Sequence, residues 1–425
     1  MPKSGYKTVR GLFGKDIEIP EEWKMDKLSN LGEPIIGLTY EPQNVKSDGI
    51  LVLRSPNIQD GKLKFENNVY VDVELKEKLK IRKGDLLICV RNGSKRLIGK
   101  CAYINENFEK MTFGAFMSIF RSKENHFIYY QFQMPIIRKQ ITKSLTFTIN
   151  QITNGNLNSF IITIPPIQEQ QKIVSILSNI DNLIDSYDKT IQATKKLKKG
   201  LMQTLLTRGI GHKKFKTVKW LFGKEIEIPE EWEIENLKKS VEFHKQGLYT
   251  TIPYSKRGIK IARVNDLQKG NLTYEKMMCL DVDDDTFKSF QISVGNFLIA
   301  RTGSIGNYAI VKNDIPCMHI SDIIRFVFNK KNLVNDFFGL FFESSLTFIQ
   351  LLMIQQSSSH IHINAETIKS LKIILPPIKE QQKIISIISS VDNEITKLEL
   401  KKKSAESLKK GLMQKLLTGQ IRVTV

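Results

Sequence analysis

The sequence predicts an α/β (α+β) protein built by duplication, with two globular segments in pseudo-two-fold symmetry joined by two long antiparallel coiled-coil helices. Three observations carry the prediction. Blocks of sequence recur at offsets of 209 and 211 residues, each Pro-Pro pair opens a proline-free run with apolar residues spaced alternately by four and three, and the stretches between blocks hold short β-branched and aromatic runs. At 425 residues the chain accommodates two domains and connecting structure.

The first element in chain order is an N-terminal segment, residues 1–23. Its Lys7-Thr8-Val9, Leu12-Phe13-Gly14-Lys15 and Ile17-Glu18-Ile19-Pro20-Glu21-Glu22-Trp23 return as Lys216-Thr217-Val218, Leu221-Phe222-Gly223-Lys224 and Ile226-Glu227-Ile228-Pro229-Glu230-Glu231-Trp232. Residues 24–164 follow as a first domain, and residues 165–232 as a central region with a long helix and a linker. That region opens on Pro165-Pro166-Ile167-Gln168-Glu169-Gln170-Gln171-Lys172-Ile173, which returns as Pro376-Pro377-Ile378-Lys379-Glu380-Gln381-Gln382-Lys383-Ile384. Residues 233–375 form the second domain, and residues 376–425 a C-terminal long helix. The two domains have lengths of 141 and 143 but little likeness beyond echoes such as Arg91-Asn92-Gly93-Ser94 beside Arg301-Thr302-Gly303-Ser304. Divergence confined to the inserts is what two versions of one reading head on a common frame would show.

In the first long helix the apolar stripe runs Ile173, Leu177, Ile180, Ile184, Tyr187, Ile191, then Leu197, Leu201 and Leu205; its copy runs Ile384, Ile388, Val391, Ile395, Leu398, then Leu408, Leu412 and Leu416. This is the seam of a coiled coil. Proline before each run suits a helix start, and Glu169 and Glu380 in the first turn complement the helix dipole. Some 40 residues at 1.5 Å each make roughly 60 Å of helix. The stripe needs a partner, and its own repeat is the available one. An antiparallel pair also brings the C-terminal helix back to the N-terminal block. Gly200 and Gly411, at matched positions inside the pattern, point to a close approach of two backbones or a local bend.

The inserts read as mixed α/β, with strands expected at Ile50–Leu53, Leu86–Val90, Lys100–Ile104 and Phe116–Phe120, then Ile259–Ala262, Asn296–Ala300, Tyr308–Val311 and Ile323–Phe328, and a helix over Phe337–Met353. The net charge of +20 makes a polyanion the leading partner, and nucleic acid outranks membrane. The first insert carries 21 basic against 13 acidic residues, the second 17 against 14, and residues 165–215 add 9 against 4. No stretch approaches the ~18 apolar residues of a membrane span, and no apolar signal segment follows Met1–Gly5, so a cytoplasmic protein is expected.

Reading DNA sequence needs Arg, Lys, Asn or Gln side chains on rigid loops, where they bond base edges in pairs. The loop Arg91, Asn92, Ser94, Lys95, Arg96 supplies such a set after an expected strand, and Arg301, Thr302, Ser304 matches it. Further DNA-binding candidates are Asn57 and Gln59, Asn265 and Gln268, and His360 in the polar run that starts at Gln355. Residues expected to pack the helix pair are Ile173, Leu177, Ile180, Ile184 and Leu201 with Ile384, Ile388, Val391, Ile395 and Leu412.

Catalytic signals are missing. Cys89, Cys101, Cys279 and Cys317 stand singly, without C-x-x-C or a His at finger spacing, so neither disulfide framework nor zinc site is expected. Asp281–Asp285 lacks the Gly and terminal Glu of a calcium loop and reads as an exposed acidic turn. The stretch from Gly93 to Lys100 has one residue too many for a phosphate loop, and neither the Asn/Asp-Pro-Pro-aromatic motif of methyltransferases that act on amino groups nor a nuclease motif stands out. No metal site and no catalytic residue is assigned.

The repeated blocks, Ile-Pro-Glu-Glu-Trp opening each insert and Pro-Pro-Ile-x-Glu-Gln-Gln-Lys-Ile closing it ahead of a helix through Lys-Lys-Gly-Leu-Met-Gln, resemble the specificity subunit of a type I restriction-modification system. The likeness spans essentially the whole chain. It implies that the inserts are target-recognition domains, each reading one half of a bipartite, asymmetric site in double-stranded DNA. It implies that the helices are a spacer and a docking surface for two modification methylase subunits, which translocase-nuclease subunits join. S-adenosylmethionine, ATP and Mg would then belong to those partners and no cofactor to this chain, a non-catalytic subunit. The alternative is a stand-alone sequence-specific DNA-binding scaffold without a methylase partner.

Overall fold

The computed structural model describes residues 4–14, 16–145, 150–221, 225–302, 306–356 and 363–424. Two compact units emerge, residues 1–188 with 401–425, and residues 189–400.

The first unit starts with a hairpin, Tyr6–Arg10 against Asp16–Pro20, whose turn uses Gly14 at φ 73°. Lys24–Lys27 then pairs antiparallel with Ile161–Ile164, Lys27 opposite Ile161, so the chain enters and leaves the head side by side. Inside the head an antiparallel sheet has the order Cys101–Tyr103, Leu86–Cys89, Met117–Ser122, Gly32–Ile36. A second sheet pairs Ile50–Leu53 in parallel with Met111–Phe113. The unbroken apolar run Leu86–Cys89 follows from burial on both faces. Leu86 and Ile88 join a core with Phe120, Phe127, Ile137 and Trp23, while Leu87 and Cys89 join another with Leu53, Phe113 and Ile119. Helices α1 (Asn125–Phe132), α2 (Pro135–Ser144) and α3 (Asn154–Ser159) complete the head, and α4 spans Ile167–Arg208. The Thr153 side chain caps α3 by accepting from the Asn156 backbone N–H at 3.1 Å.

The second unit repeats this plan. The hairpin is Phe215–Lys219 with Glu225–Pro229, and the paired neck strands are Glu233–Asn236 and Lys372–Leu375. The four-stranded sheet runs Val241–Gln246, Ile323–Phe328, Phe297–Ala300, Tyr308–Ile310, and Ile259–Ala262 lies parallel to Cys317–His319. Helices α5 (Asp284–Phe290), α6 (Asn335–Glu343), α7 (Ser345–Gln356) and α8 (Ala365–Lys369) precede α9 (Ile378–Leu416). The single helix expected over Phe337–Met353 is two, bent by 67° at Ser344. The Ser344 and Thr347 hydroxyls both donate to Phe341 O, at 2.6 and 2.8 Å, and so compete with continuation of the helix there.

The long helices are antiparallel in each unit, as connectivity requires. In the first, Asp181 pairs with Lys409 and Asp188 with Lys402, both at 2.7 Å, so one helix ascends as the other descends. In the second, Lys195 pairs with Glu399 and Lys198 with Asp392, again at 2.7 Å. Ile173 and Leu177 are buried in the first unit's core, and Ile384 and Ile388 in the second's. Ile395 is also buried, while Ile180, Ile184, Leu201, Val391 and Leu412 are half-buried.

Two sequence expectations for the helices need correction. Leu197 and Leu408, read as seam positions, are 56% and 54% exposed. A strict four-three alternation from Ile173 reaches Ile191, Thr194 and Lys198, and from Ile384 reaches Leu398, Lys402, Ala405 and Lys409. The leucines lie one position off that phase, and the ion-paired lysines occupy the seam. Gly200 and Gly411 mark no close approach, since a Cβ at either would meet nothing within 4 Å.

The repeated motifs are structural joints. Buried Glu169 accepts from Trp23 Nε1 at 2.9 Å and from Arg422 Nε and Nη2 at 2.7 and 3.0 Å. Its counterpart Glu380 accepts from Trp232 Nε1 at 2.9 Å, while His212 Nε2 lies 2.8 Å and Ile210 N 2.9 Å away. Gln170 and Gln381 donate back to Pro165 O and Pro376 O at 3.0 and 2.9 Å, closing the first helical turns. In the first unit the Tyr6 hydroxyl donates to Gly419 O at 2.7 Å, so the chain's end docks on its opening hairpin.

Candidate nucleic-acid interface

Strand direction gathers the loops of each head. In the first head Leu86–Cys89 and Gly32–Ile36 end where Met117–Ser122 begins, and Leu53 ends beside Phe113. Turns that follow Ile36, Leu53, Cys89 and Phe113 therefore share one end of the sheets. Phe116 O receives the N–H groups of Val90 and Arg91 at 3.0 and 3.1 Å, and the Arg91 guanidinium lies 4.8 Å from the centre of the Phe116 ring. Asn92 N donates to Asn150 O at 3.3 Å, Asn150 Nδ2 to Gly93 O at 2.9 Å, and Ser94 N to Asn92 Oδ1 at 3.0 Å. Arg138 of α2 donates to the carbonyls of Lys95 and Ile98, at 2.8 and 2.5 Å. The loop backbone is thus tied on both sides while Arg91, Ser94, Lys95 and Arg96 are exposed and Asn92 is half-buried.

Asn57 has another role than base reading. It is fully buried; its Oδ1 accepts from Arg54 N and its Nδ2 donates to Lys64 O, each at 3.0 Å. Gln59 is half-buried on the small hairpin Ile58–Gln59 with Lys62–Leu63, whose Lys62 is ion-paired to Asp185 of α4.

In the second head Arg301 N donates to Asp322 O at 2.9 Å, as Val90 N does to Phe116 O, and Ile363 N donates to Arg301 O at 3.1 Å, as Ile152 N does to Val90 O, so Arg301 stands one residue before the position of Arg91. Arg301 and Thr302 are half-buried. His244, Lys245, Gln246 and Asn364 join Arg301 around a cavity of about 210 Å³, and Arg301 Nε is buried without a partner among the described residues. Ser304 and His360 lie outside the described residues. Asn265 is exposed in the turn Val264–Asp266, where buried Asp266 takes the place of Asn57 by accepting from Arg263 N at 2.9 Å. Gln268 is exposed on the hairpin that matches that of Gln59.

Sequence reading missed the aromatic and apolar residues at these ends. Ile36 and Phe116 are each 55% exposed, and Tyr249 is 82% exposed. The Arg263 guanidinium lies 5.8 Å from the centre of the Tyr254 ring. Phe116 was expected inside a strand, whereas the strand starts at Met117. A large apolar residue directly after Gly114-Ala115 was the available signal that it belongs to a turn.

Among the described residues no other reactive constellation is assembled. Asp283, in the acidic run, caps α5 by accepting from Thr286 N at 2.7 Å, which holds its carboxyl below the usual range. Among the described residues no group of three His, Cys, Asp or Glu is placed to hold a metal, and the four cysteines are free and buried. Burial pushes the Cys101 and Cys317 thiols up to about 12. No single described helix is long and apolar enough to cross a membrane.

Comparison with known proteins finds a match to the type I restriction modification DNA specificity domain over residues 20–196 and again over 229–406. A putative type I restriction enzyme MjaX specificity subunit of Methanocaldococcus jannaschii is 29% identical over 96% of this chain and 95% of its own length. The EcoKI specificity subunit of Escherichia coli is 25% identical over 95% of this chain and 89% of its own. Among solved structures, a type I restriction-modification S subunit from M. genitalium superposes with a TM-score of 0.57 over 93% of this chain and 96% of that one, at 14% identity. That level of identity bears on fold alone.

Proposed function

The chain belongs to the type I restriction-modification DNA specificity family, and we propose that its two heads each read one half of a bipartite, asymmetric DNA site, with α4 and α9 setting the gap between halves. The observation that carries this reading is one frame, built twice, bearing two different sets of side chains at matched loop ends. A homodimer's identical heads would read a palindrome; heads as unlike as these read unequal halves. Charge supports the same reading, since 21 basic residues in the first insert and 17 in the second supply non-specific attraction to phosphate.

The chain is assigned no chemical step. Two modification methylase subunits dock on the long helices, hold S-adenosylmethionine and methylate the DNA, and translocase-nuclease subunits using ATP and Mg join them. The relatives are themselves described as specificity subunits of restriction enzymes, which supports this division of labour. The complex works in the cytoplasm on double-stranded DNA. Exchanging residues 24–164 for the insert of another family member tests the proposal. The complex is expected to bind duplexes with one half-site changed and the other retained; a change in both halves, or in neither, contradicts it.

A further inference from the structure

The loop end of the first head pairs a cation with two exposed apolar side chains. Phe116 and Ile36 are each 55% exposed. The registers Ile36 opposite Ser118 and Cys89 opposite Met117 put both residues at the end of the sheet from which the Arg91 loop leaves. The Arg91 guanidinium lies over the Phe116 ring at 4.8 Å, and the Arg91 and Phe116 backbones are hydrogen-bonded at 3.1 Å. Single exposed apolar residues need no explanation, but two of them beside an arginine on a loop tied at both edges do.

The second head supplies an internal comparison. Register places Gln246 where the first head has Ile36, and Asp322 where it has Phe116, because Gln246 pairs with Ile324 and Ile323 with Ala300. By the same register Arg301 takes the place of Val90, one residue before Arg91, and keeps the backbone bond that Val90 N makes to Phe116 O, here to Asp322 O at 2.9 Å. The frame is constant and the apolar pair is confined to the first head.

The major groove displays one apolar group on its base edges, the 5-methyl of thymine, next to the acceptors and donors that arginine and amide side chains read. We propose that Phe116 and Ile36 pack against the methyl group of a thymine in the first half-site while Arg91, held by the Phe116 ring, bonds the O6 and N7 of a neighbouring guanine. This rests on the half-site reading above and adds to it the base chemistry of one head. The second head, polar at the same positions, reads its half without a methyl contact there.

The test uses the full chain assembled with its methylase subunits and duplexes carrying its site, in which each thymine in turn is replaced by deoxyuridine. Base pairing is unchanged and only the methyl is lost. One thymine beside a guanine in the half-site that follows residues 24–164 should lose about 4-fold in affinity, the value of one buried methyl-sized group. The Phe116→Ala, Ile36→Ala double variant should bind the thymine and deoxyuridine duplexes equally, while Phe116→Leu keeps most of the difference. Both positions are exposed, and unchanged affinity dependence on the second half-site reports that the variant is folded. A first half-site with no thymine on either strand, or a deoxyuridine penalty that persists in the double variant, overturns the inference and leaves the half-site reading standing. A complex that discriminates no sequence at all overturns both.

Discussion

At the residue scale the clearest contrast is between Asn57 and Glu169. Asparagine in a turn reads equally well as a base contact or as a local bond to its own backbone, and only the fold shows that Asn57 is buried and closes the turn from Arg54. Glu169 and Trp23 stand 146 residues apart, so no local pattern reveals that their repeated motifs form one hydrogen-bonded joint. Arg91 and Arg301 were nominated from the sequence because arginine after a strand and before Gly-Ser has few structural uses; Arg91 is exposed and Arg301 half-buried. Phe116 was not nominated, because an aromatic beside a strand looks like core. His319 gives a residue-scale prediction. It is fully buried between Phe290 O, 2.9 Å from Nδ1, and Lys245 O, 3.3 Å from Nε2. Burial pushes its pKa down to about 4 against the opposing pull of the two carbonyls, with the charges of Arg325 and Lys245 acting in the same direction as burial. In the unfolded chain the group binds a proton near pH 6.5, so its neutral burial costs nothing above that pH and weakens the fold as pH falls from about 6.5 to about 4. The loss approaches about 3 kcal/mol in total at the lower limit. Thermal melting across this range should show His319→Gln flattening the slope relative to the natural chain; an identical slope would mean the imidazole is not held neutral.

At the element scale the two long helices were the most legible part of the fold, because a pattern sustained over some forty residues outweighs any local propensity. Their error is instructive. Leucine at 197 and 408 attracted the stripe by its hydrophobicity, whereas the antiparallel geometry keeps a strict alternation and admits Lys198, Lys402 and Lys409, whose stems pack while their ammonium groups reach Asp392, Asp188 and Asp181. Short strands were less legible. The parallel pair of Ile259–Ala262 with Cys317–His319 joins residues far apart in sequence, and a three-residue strand carries too little period to be seen. The matched glycines yield a prediction of their own. Gly200 and Gly411 are helical, exposed, and have no neighbour within 4 Å of an added Cβ. Alanine at each should stabilise the isolated chain by about 1 kcal/mol, read as a raised melting temperature. A fall in melting temperature would mean that the backbone at these positions is needed for a contact the helix pair itself does not make.

At the scale of the whole molecule the duplication explains both the economy of the sequence and its blind spot. The conserved blocks encode hairpin, neck and helix start twice, so the architecture could be read from repetition alone. The inserts share a sheet order without sharing a sequence, since a buried strand asks only for apolar residues of suitable size, and even the Arg91 and Arg301 motifs stand one residue out of step in the strand register. The proposed division of labour follows from this: the frame determines the gap and the heads determine the bases. One heptad inserted at matched positions in both α4 and α9 preserves the four-three seam and lengthens each helix by about 10 Å, or roughly 3 base pairs of B-form DNA. Long-read mapping of DNA methylation in a host carrying this chain and the proposed partner subunits, with and without the inserted heptads, tests the central claim most directly. The natural chain should mark two unequal half-sequences at a fixed gap, and the lengthened chain the same two half-sequences with the gap longer by roughly 3 base pairs; half-sequences that change, or a gap that does not, would contradict it.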